Sequence, residues 1–333
     1  MLKKFSLRKI GLTSAALLAI TLIYLFPSSD KKLEVKEKLE YTNAENNLNE
    51  IFLLDQNSYV SLTQVVLSDT QIENKARELL NILTIGEKNS KIPNGFRAII
   101  PPDTKILSLT YEKGLIKVDF SSELLEIDEE KEEKMIEAIV YTLTSIDDVN
   151  KVIIYVEGEI LTKLPKTKKN LPSALDRTFG INKEYDFTQT TSINDVTIYY
   201  VNKIKDNYYY VPVTKYLNDD RDKITIIIDQ LTTKFNYNKN LMSFINNDTK
   251  LVSENVNDKV LNLEFNDYIF DDINKKEILE EVIYTISLSA YDNYDIDELI
   301  LKVGNSEICK INSKTKKLKK NSKLCYNTNQ KEK

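Results

Sequence analysis

The chain states one pattern twice. Asp103-Thr104-Lys105-Ile106-Leu107-Ser108 returns as Asp248-Thr249-Lys250-Leu251-Val252-Ser253. Val118-Asp119-Phe120 returns as Leu263-Glu264-Phe265, and Val140-Tyr141-Thr142-Leu143 as Ile283-Tyr284-Thr285-Ile286. The offsets are 145, 145 and 143 residues. Three matches in order, at nearly constant spacing, make two copies of one module. A period of this size is a whole globular domain and not a solenoid turn. The chain has 333 residues, 41% of them hydrophobic, so each copy can bury its own core.

Each copy reads β-β-α-β-β-α-β. In the first, residues 51–54 and 59–66 are strand-like runs around Asp55-Gln56-Asn57-Ser58, a hairpin signal. Thr70-Gln71-Ile72-Glu73 fits a capping box, after which Ile72, Ala76, Leu79, Leu80 and Leu83 share one helical face. Residues 93–102 form a loop. Residues 106–110 and 115–120 are strands joined at Glu112-Lys113-Gly114, and Asp119 lies on the wet face of the second, as Glu264 does in the other copy. Ile136, Ile139, Val140 and Leu143 stripe a second helix, and residues 152–156 close the unit. In the second copy residues 197–201 and 208–213 replace the first hairpin, with Pro212 placing its second strand at a sheet edge. Ile224, Ile227, Ile228 and Leu231 replace the first stripe. Ile278, Val282, Ile283 and Ile286 replace the second, before a strand at 299–303. The expected class is α+β: two tandem domains of like fold, each a mixed β-sheet packed by two helices.

Lys3, Lys4, Arg8 and Lys9 precede an uncharged apolar run over residues 10–26. As a helix that run spans about 26 Å, enough to cross a bilayer at the short end of the range. Its bulky end lacks a small-x-small cleavage site, which favours an uncleaved signal anchor over a cleaved signal peptide. The basic flank keeps the amino terminus inside and sends the rest outward. The expected organisation is a signal anchor or transmembrane helix over 1–27, a tether over 28–50, domain 1 over 51–162, a linker over 163–192, domain 2 over 193–308 and a basic, mobile tail over 309–333.

The first copy carries Ile99-Ile100-Pro101-Pro102-Asp103-Thr104-Lys105-Ile106-Leu107. It also has Leu115-Ile116-Lys117-Val118-Asp119-Phe120-Ser121, and Glu137-Ala138-Ile139-Val140-Tyr141-Thr142-Leu143-Thr144 running into Val152-Ile153-Ile154-Tyr155-Val156-Glu157-Gly158. On these segments the chain, from about residue 51 to 307, resembles the GerM-like sporulation and germination proteins built from tandem GerMN domains. The second copy has lost the Pro-Pro before Asp248. No lipid-attachment cysteine follows the apolar run, a departure from the lipoprotein form of that family. The resemblance implies a non-enzymatic, single-pass protein of the cell membrane with its domains extracytoplasmic. Such a protein helps assemble or localise a complex, with other envelope or sporulation proteins as partners and no cofactor. GerMN domains are similar to ring-building modules of secretion assemblies, which also favours protein partners.

The residues narrow the chemistry independently. There is no histidine, so Ser-His and Cys-His triads are excluded. Two cysteines cannot build a Cys-rich zinc site. A net charge of −5, from 46 basic and 51 acidic residues, provides no field for nucleic acid. Glu129, Glu130, Glu132 and Glu133 read as a solvated helix start and not as a catalytic pair. Asp292-Asn293-Tyr294-Asp295-Ile296-Asp297-Glu298 invites calcium but lacks the EF-hand spacing and glycine, so no metal site is assigned. Tyr199, Tyr200, Tyr208, Tyr209 and Tyr210 form a candidate partner-binding surface, against ordinary strand packing. Cys309 and Cys325 form either a disulfide or two free thiols. The alternative function is a cell-wall glycan-binding or glycan-hydrolysing envelope protein, with peptidoglycan as partner, which requires a cleft with convergent acids. A ligand-sensing module, marked by an apolar pocket between the copies, is a third reading.

Overall fold

The computed structural model describes residues 48–86, 91–205, 207–233 and 240–313. The first copy opens with an antiparallel hairpin of β1 (Leu48–Asp55) and β2 (Val60–Val66). Asp55 holds the turn, its Oδ1 accepting from the amides of Asn57 (2.8 Å) and Tyr59 (2.9 Å). Helix α1 (Ile72–Leu83) buries Ala76, Leu79, Leu80 and Leu83, the face its spacing predicts. Its capping box is not made. Gln71 occupies the N-cap without a side-chain bond, and Asp69 accepts the Gln71 amide instead at 2.9 Å. A carboxylate two residues back is a stronger acceptor than the Thr70 hydroxyl. The following loop contains a short strand, β3 (Phe96–Arg97), on the outer edge of β1. Then come β4 (Ile106–Glu112), β5 (Leu115–Phe120), helix α2 (Glu132–Leu143), β6 (Lys151–Val156) and β7 (Glu159–Ile160). The last four strands form one mixed sheet in the order β4-β5-β6-β7, with β5 and β6 parallel.

After β8 (Glu184–Asp186), the second copy repeats this order. It consists of a hairpin of β9 (Asn194–Ile204) and β10 (Asn207–Leu217), helix α3 (Lys223–Thr232), β11 (Leu251–Asn257), β12 (Val260–Phe265), helix α4 (Glu280–Asn293), β13 (Glu298–Val303) and β14 (Ser306–Asn312). Its mixed sheet runs β11-β12-β13-β14, with β12 and β13 parallel. The duplication extends to local detail. The β4–β5 register slips between Ile106 and Ser108, and the β11–β12 register between Leu251 and Ser253. The Gly114 carbonyl accepts from the amides of Asn150 and Lys151, as the Lys259 carbonyl does from those of Asp297 and Glu298. A helix hydroxyl takes one amide of each first hairpin: Thr142 that of Phe52 (3.0 Å) and Ser289 that of Tyr199 (2.9 Å).

Two features depart from the sequence reading. The opening hairpin of each copy does not join that copy's mixed sheet. Helix α2 touches β1 and β2 as well as β6, so it lies between hairpin and sheet. Every residue from Met135 to Leu143 is consequently buried, and α4 is buried from Val282 to Ala290. A helix apolar on all sides needs such a second surface. The second departure is where the hairpins go. Both enter a single six-stranded sheet that runs from one copy into the other. β10 pairs with β9 along one edge and with β2 (Tyr210 opposite Leu62) and β8 along the other. Pro212 therefore lies in an interior strand, not at an edge.

Residues 163–192 form an ordered connection that buries Leu164, Leu171, Leu175 and Ile181. Beyond residue 308, β14 continues to Asn312 and buries Cys309 and Ile311. The apolar run over 10–26 and Cys325 lie outside the described residues. Among those described, no helix is long and apolar enough to cross a membrane.

Candidate functional site at the junction of the copies

Pro212 explains how the shared sheet is closed. Proline has no amide to donate. Its missing N–H faces the β2 side, the side on which the Thr214 amide bonds the Ile181 carbonyl at 2.8 Å. Asn182 from the connection fills the gap. Its Oδ1 accepts the Val60 amide at 2.9 Å, and its Nδ2 donates to the carbonyls of Val60 (2.8 Å) and Pro212 (2.7 Å). One buried carboxamide thus acts as a strand segment between the two copies. Its backbone is left-handed (φ 45°), a conformation asparagine tolerates better than most residues.

Helix α2 holds this plug in place with carboxylates. The Asn182 amide donates to Glu137 Oε2 at 3.0 Å, and Lys183 Nζ lies 3.8 Å from Glu137 and 2.7 Å from Glu133. Burial pushes the Glu137 carboxyl up to about 7, against the opposing pull of Lys183 and the Asn182 amide. Glu132 accepts from the amides of Lys166 (2.6 Å) and Thr167 (3.0 Å) and from the Thr167 hydroxyl. For Glu132 burial acts upward, but these bonds outweigh it and hold the carboxyl below its usual range. Two of the four glutamates read as a solvated helix start are therefore anchors for the connection.

A second cluster joins the copies through Arg177. Its guanidinium pairs with Asp292 of α4, and its Nε donates to Thr144 Oγ1 at 3.1 Å. The group lies 4.9 Å from the Tyr141 ring centre and 5.6 Å from that of Phe52, within range of cation–π attraction. Tyr199 donates to Asp292 Oδ2 at 3.0 Å, and Tyr141 to the Arg177 carbonyl at 3.2 Å. Burial works against the guanidinium charge, yet the adjacent Asp292 carboxylate raises its pKa further above the ordinary value. The Tyr199 phenol is pushed upward by burial and then by Asp292. A third tie runs from Tyr209, whose hydroxyl donates to Asp55 Oδ2 at 2.8 Å.

These contacts locate the tyrosine cluster. Tyr199, Tyr200, Tyr209 and Tyr210 are buried, and three have visible tasks inside the chain: Tyr199 on Asp292, Tyr209 on Asp55, and Tyr210 packed 5.4 Å from the Tyr284 ring. Only Tyr208 of the five faces outward, 42% exposed and edge-on to Phe244. The hairpin's aromatic side chains are used inside the chain: Tyr199 and Tyr210 pack into the first copy's core, Tyr200 into the second's, and Tyr209 reaches Asp55 across the junction. Of the two cysteines, Cys309 is buried on β14.

Beside this junction lies an open cleft of about 1180 Å³, with walls from residues 144–150, 176–178 and 291–297. The wall is mostly polar, unlike the apolar pocket of a ligand-sensing module. Many of its acids are paired within the fold: Asp292 with Arg177, Asp195 with Lys223 at 3.2 Å, and Asp295 with Lys259 at 3.2 Å. Asn293 of the calcium-like run binds the backbone of Thr197 in both directions. Among the described residues no three potential metal ligands converge. Asp119 and Glu264, equivalent in the two copies, accept from the Gly158 amide (3.1 Å) and the Ser253 hydroxyl (2.8 Å) within their own sheets.

The family described as Germane, sporulation and spore germination, matches the chain twice, over residues 50–162 and 197–308. The spore germination protein GerM of Bacillus subtilis (strain 168) is 33% identical over 278 residues, covering 81% of this chain and 75% of that protein. The solved tandem GerMN domains of the B. subtilis sporulation protein GerM superpose with a TM-score of 0.71 at 31% identity, covering 78% of this chain and 91% of that one. With both copies matched, the chain belongs to the Germane family of sporulation and spore-germination proteins.

Proposed function

We propose that the chain acts in sporulation or germination as a non-enzymatic, membrane-anchored protein of the envelope, where it assembles or localises a protein complex. The apolar run over residues 10–26 anchors it, and both GerMN domains face away from the cytoplasm. One observation carries the docking role. The register slip in each outer strand leaves an apolar side chain in solvent at equivalent places, Leu107 (49% exposed) and Val252 (60% exposed). A bulge on an edge strand blocks indiscriminate pairing. An exposed branched aliphatic side chain on that bulge, kept in both copies, suits a specific apolar contact with another protein. The polar groups at the junction support the same reading, because they are engaged in holding the two copies together. We also propose that Cys309 pairs with Cys325. A thiol titration of the unreduced, denatured chain finding no free thiol supports the pairing, and two free thiols overturn it.

The test uses the full chain in membranes. Crosslinking is expected to recover envelope or sporulation proteins with wild type, and much less with Leu107→Glu and Val252→Glu combined. The purified chain is expected to leave peptidoglycan uncut. Glycan hydrolysis by the pure chain, or unchanged recovery by the double variant, rejects the proposal.

A further inference from the structure

The connection sets two tyrosines side by side at the surface. β8 and β10 run parallel with Tyr185 opposite Tyr216, so both side chains leave the same face of the sheet. Their rings stack with centres 5.1 Å apart and planes 18° from parallel. Phe187 meets the Tyr185 ring edge-on at 6.2 Å, and Gly180 makes room for the Tyr216 hydroxyl, since a Cβ there would sit 2.8 Å from that oxygen. Tyr185 is 66% exposed and Tyr216 half-buried. Burial and then the neighbouring Tyr185 push the Tyr216 phenol up to about 12, while burial followed by Glu133 and Glu137 raises that of Tyr185. Both are therefore protonated at neutral pH. Tyr210 and Tyr284 also touch, at 5.4 Å, but both are buried and out of reach of anything in solvent.

We propose that Tyr185 and Tyr216 are a site of covalent modification, joined into a dityrosine by a one-electron oxidant of the peroxidase class, and that the bond braces the connection against the second copy's hairpin. The oxidant takes one electron from each phenol, and each O–H proton goes to solvent. The two phenoxyl radicals couple at ring carbons ortho to oxygen, forming one C–C bond. The C–H bonds at the joined carbons then break, and their protons restore the two O–H groups. The pair loses two hydrogens in all, and one hydrogen peroxide becomes two waters. Exposure admits the oxidant to Tyr185. Holding the second ring alongside turns a bimolecular coupling into a unimolecular one, which favours this partner over a tyrosine of another chain. The consequence reaches the junction, because Asn182 and Lys183 lie on the same connection as Tyr185 and hold β2, Pro212 and α2 together.

The test treats the full chain, dilute and as an equal mixture of ¹⁴N- and ¹⁵N-labelled protein, with a peroxidase and hydrogen peroxide. Mass spectrometry of the digest is expected to find the peptides of Tyr185 and Tyr216 joined, short of two hydrogens and of one isotope only. Tyr185→Phe and Tyr216→Phe, which keep the ring packing, are each expected to abolish that product. Tyr210 and Tyr284 are expected to stay unjoined. The joined chain is expected to unfold at a urea midpoint about 1 M above that of the oxidised Tyr185→Phe chain, because closing a loop restricts the unfolded state. Dityrosine only between differently labelled chains, Tyr185 joined only to other tyrosines, or no dityrosine at all would each overturn the site. An unchanged midpoint in the joined chain would overturn the bracing of the connection.

Discussion

Asn182 and Glu137 show how much of the junction depends on single side chains. Removing the Asn182 carboxamide strands the amide and carbonyl of Val60 and the carbonyl of Pro212 in a buried setting. Unmet buried groups cost about 1–3 kcal/mol each, partly relieved by water entry. Asn182→Leu is therefore expected to lower unfolding stability by about 3 kcal/mol in urea titration. A loss below about 1 kcal/mol would show that the plug is dispensable. Glu137 makes a separate, pH-dependent prediction. Its folded value, about 7, lies above the unfolded carboxyl value of 4.5, so the folded chain holds this proton more tightly. The linked stability is fully present below about pH 4.5 and is lost as pH rises through 7, up to about 3 kcal/mol. Glu137→Gln is expected to flatten that decline between pH 5 and 8. Glu132 and Glu133 contribute with the opposite sign, since their folded values lie below the ordinary one, and their contribution is lost as pH falls below about 4.5. The two effects occupy different pH windows, so one titration of stability resolves both.

At the scale of elements, the two β-turns that enter β5 and β12 provide an internal control. Lys113-Gly114 and Asp258-Lys259 both adopt positive φ at two consecutive residues, the geometry of a tight hairpin turn. The first copy has glycine at the second position (φ 83°), whereas the second has Lys259 (φ 62°). A side chain in that region costs about 1–2 kcal/mol, offset in part by the greater entropy loss of glycine. Lys259→Gly is expected to stabilise the chain by about 0.5–1 kcal/mol, despite the loss of an exposed ion pair to Asp295. Gly114→Ala is expected to destabilise it, since the added Cβ would sit 2.8 Å from Asn150 Nδ2. Thermal melts of the two variants moving in the same direction would refute the equivalence of the turns. Elements such as these were legible in the sequence because they follow local periodicity and turn chemistry. The stripes of α1 and α3, the β4–β5 hairpin and the order of both copies are of that kind. What was not legible depends on distant partners. The capping box lost to Asp69, the edge placement of Pro212 failed because Asn182 supplies the missing bonds, and Glu132 and Glu133 looked solvated because nothing local announces the connection that covers them.

For the whole molecule, the main consequence is that two copies of one module behave as a joined pair. The backbone connection is thin, because β2 and β10 pair at one position, Tyr210 opposite Leu62, but Tyr199, Val201, Tyr210, Tyr284 and Leu288 of the second copy also pack into the core of the first. Arg177 adds a charged tie to these contacts, linking Thr144 and Tyr141 of the first copy to Asp292 of the second. Asp292 is almost wholly buried, so Arg177→Ala would leave its carboxylate without a counter-charge. Breaking a buried pair from one side costs about 3–5 kcal/mol, and the partial exposure of Arg177 argues for the lower figure. The loss falls mainly on the contact between copies, although the Tyr141 and Phe52 rings under the guanidinium belong to the first copy's core. Unfolding of Arg177→Ala is therefore expected to change from one cooperative transition to two, with the copies melting separately. Replacing both partners, Arg177→Met with Asp292→Leu, removes the stranded charge and is expected to regain part of the stability, the gain being limited by the buried Tyr199 hydroxyl that loses its acceptor. A single transition in Arg177→Ala at wild-type stability would mean that the shared sheet and Asn182 suffice. The copies would then be held by backbone pairing and not by the buried charge.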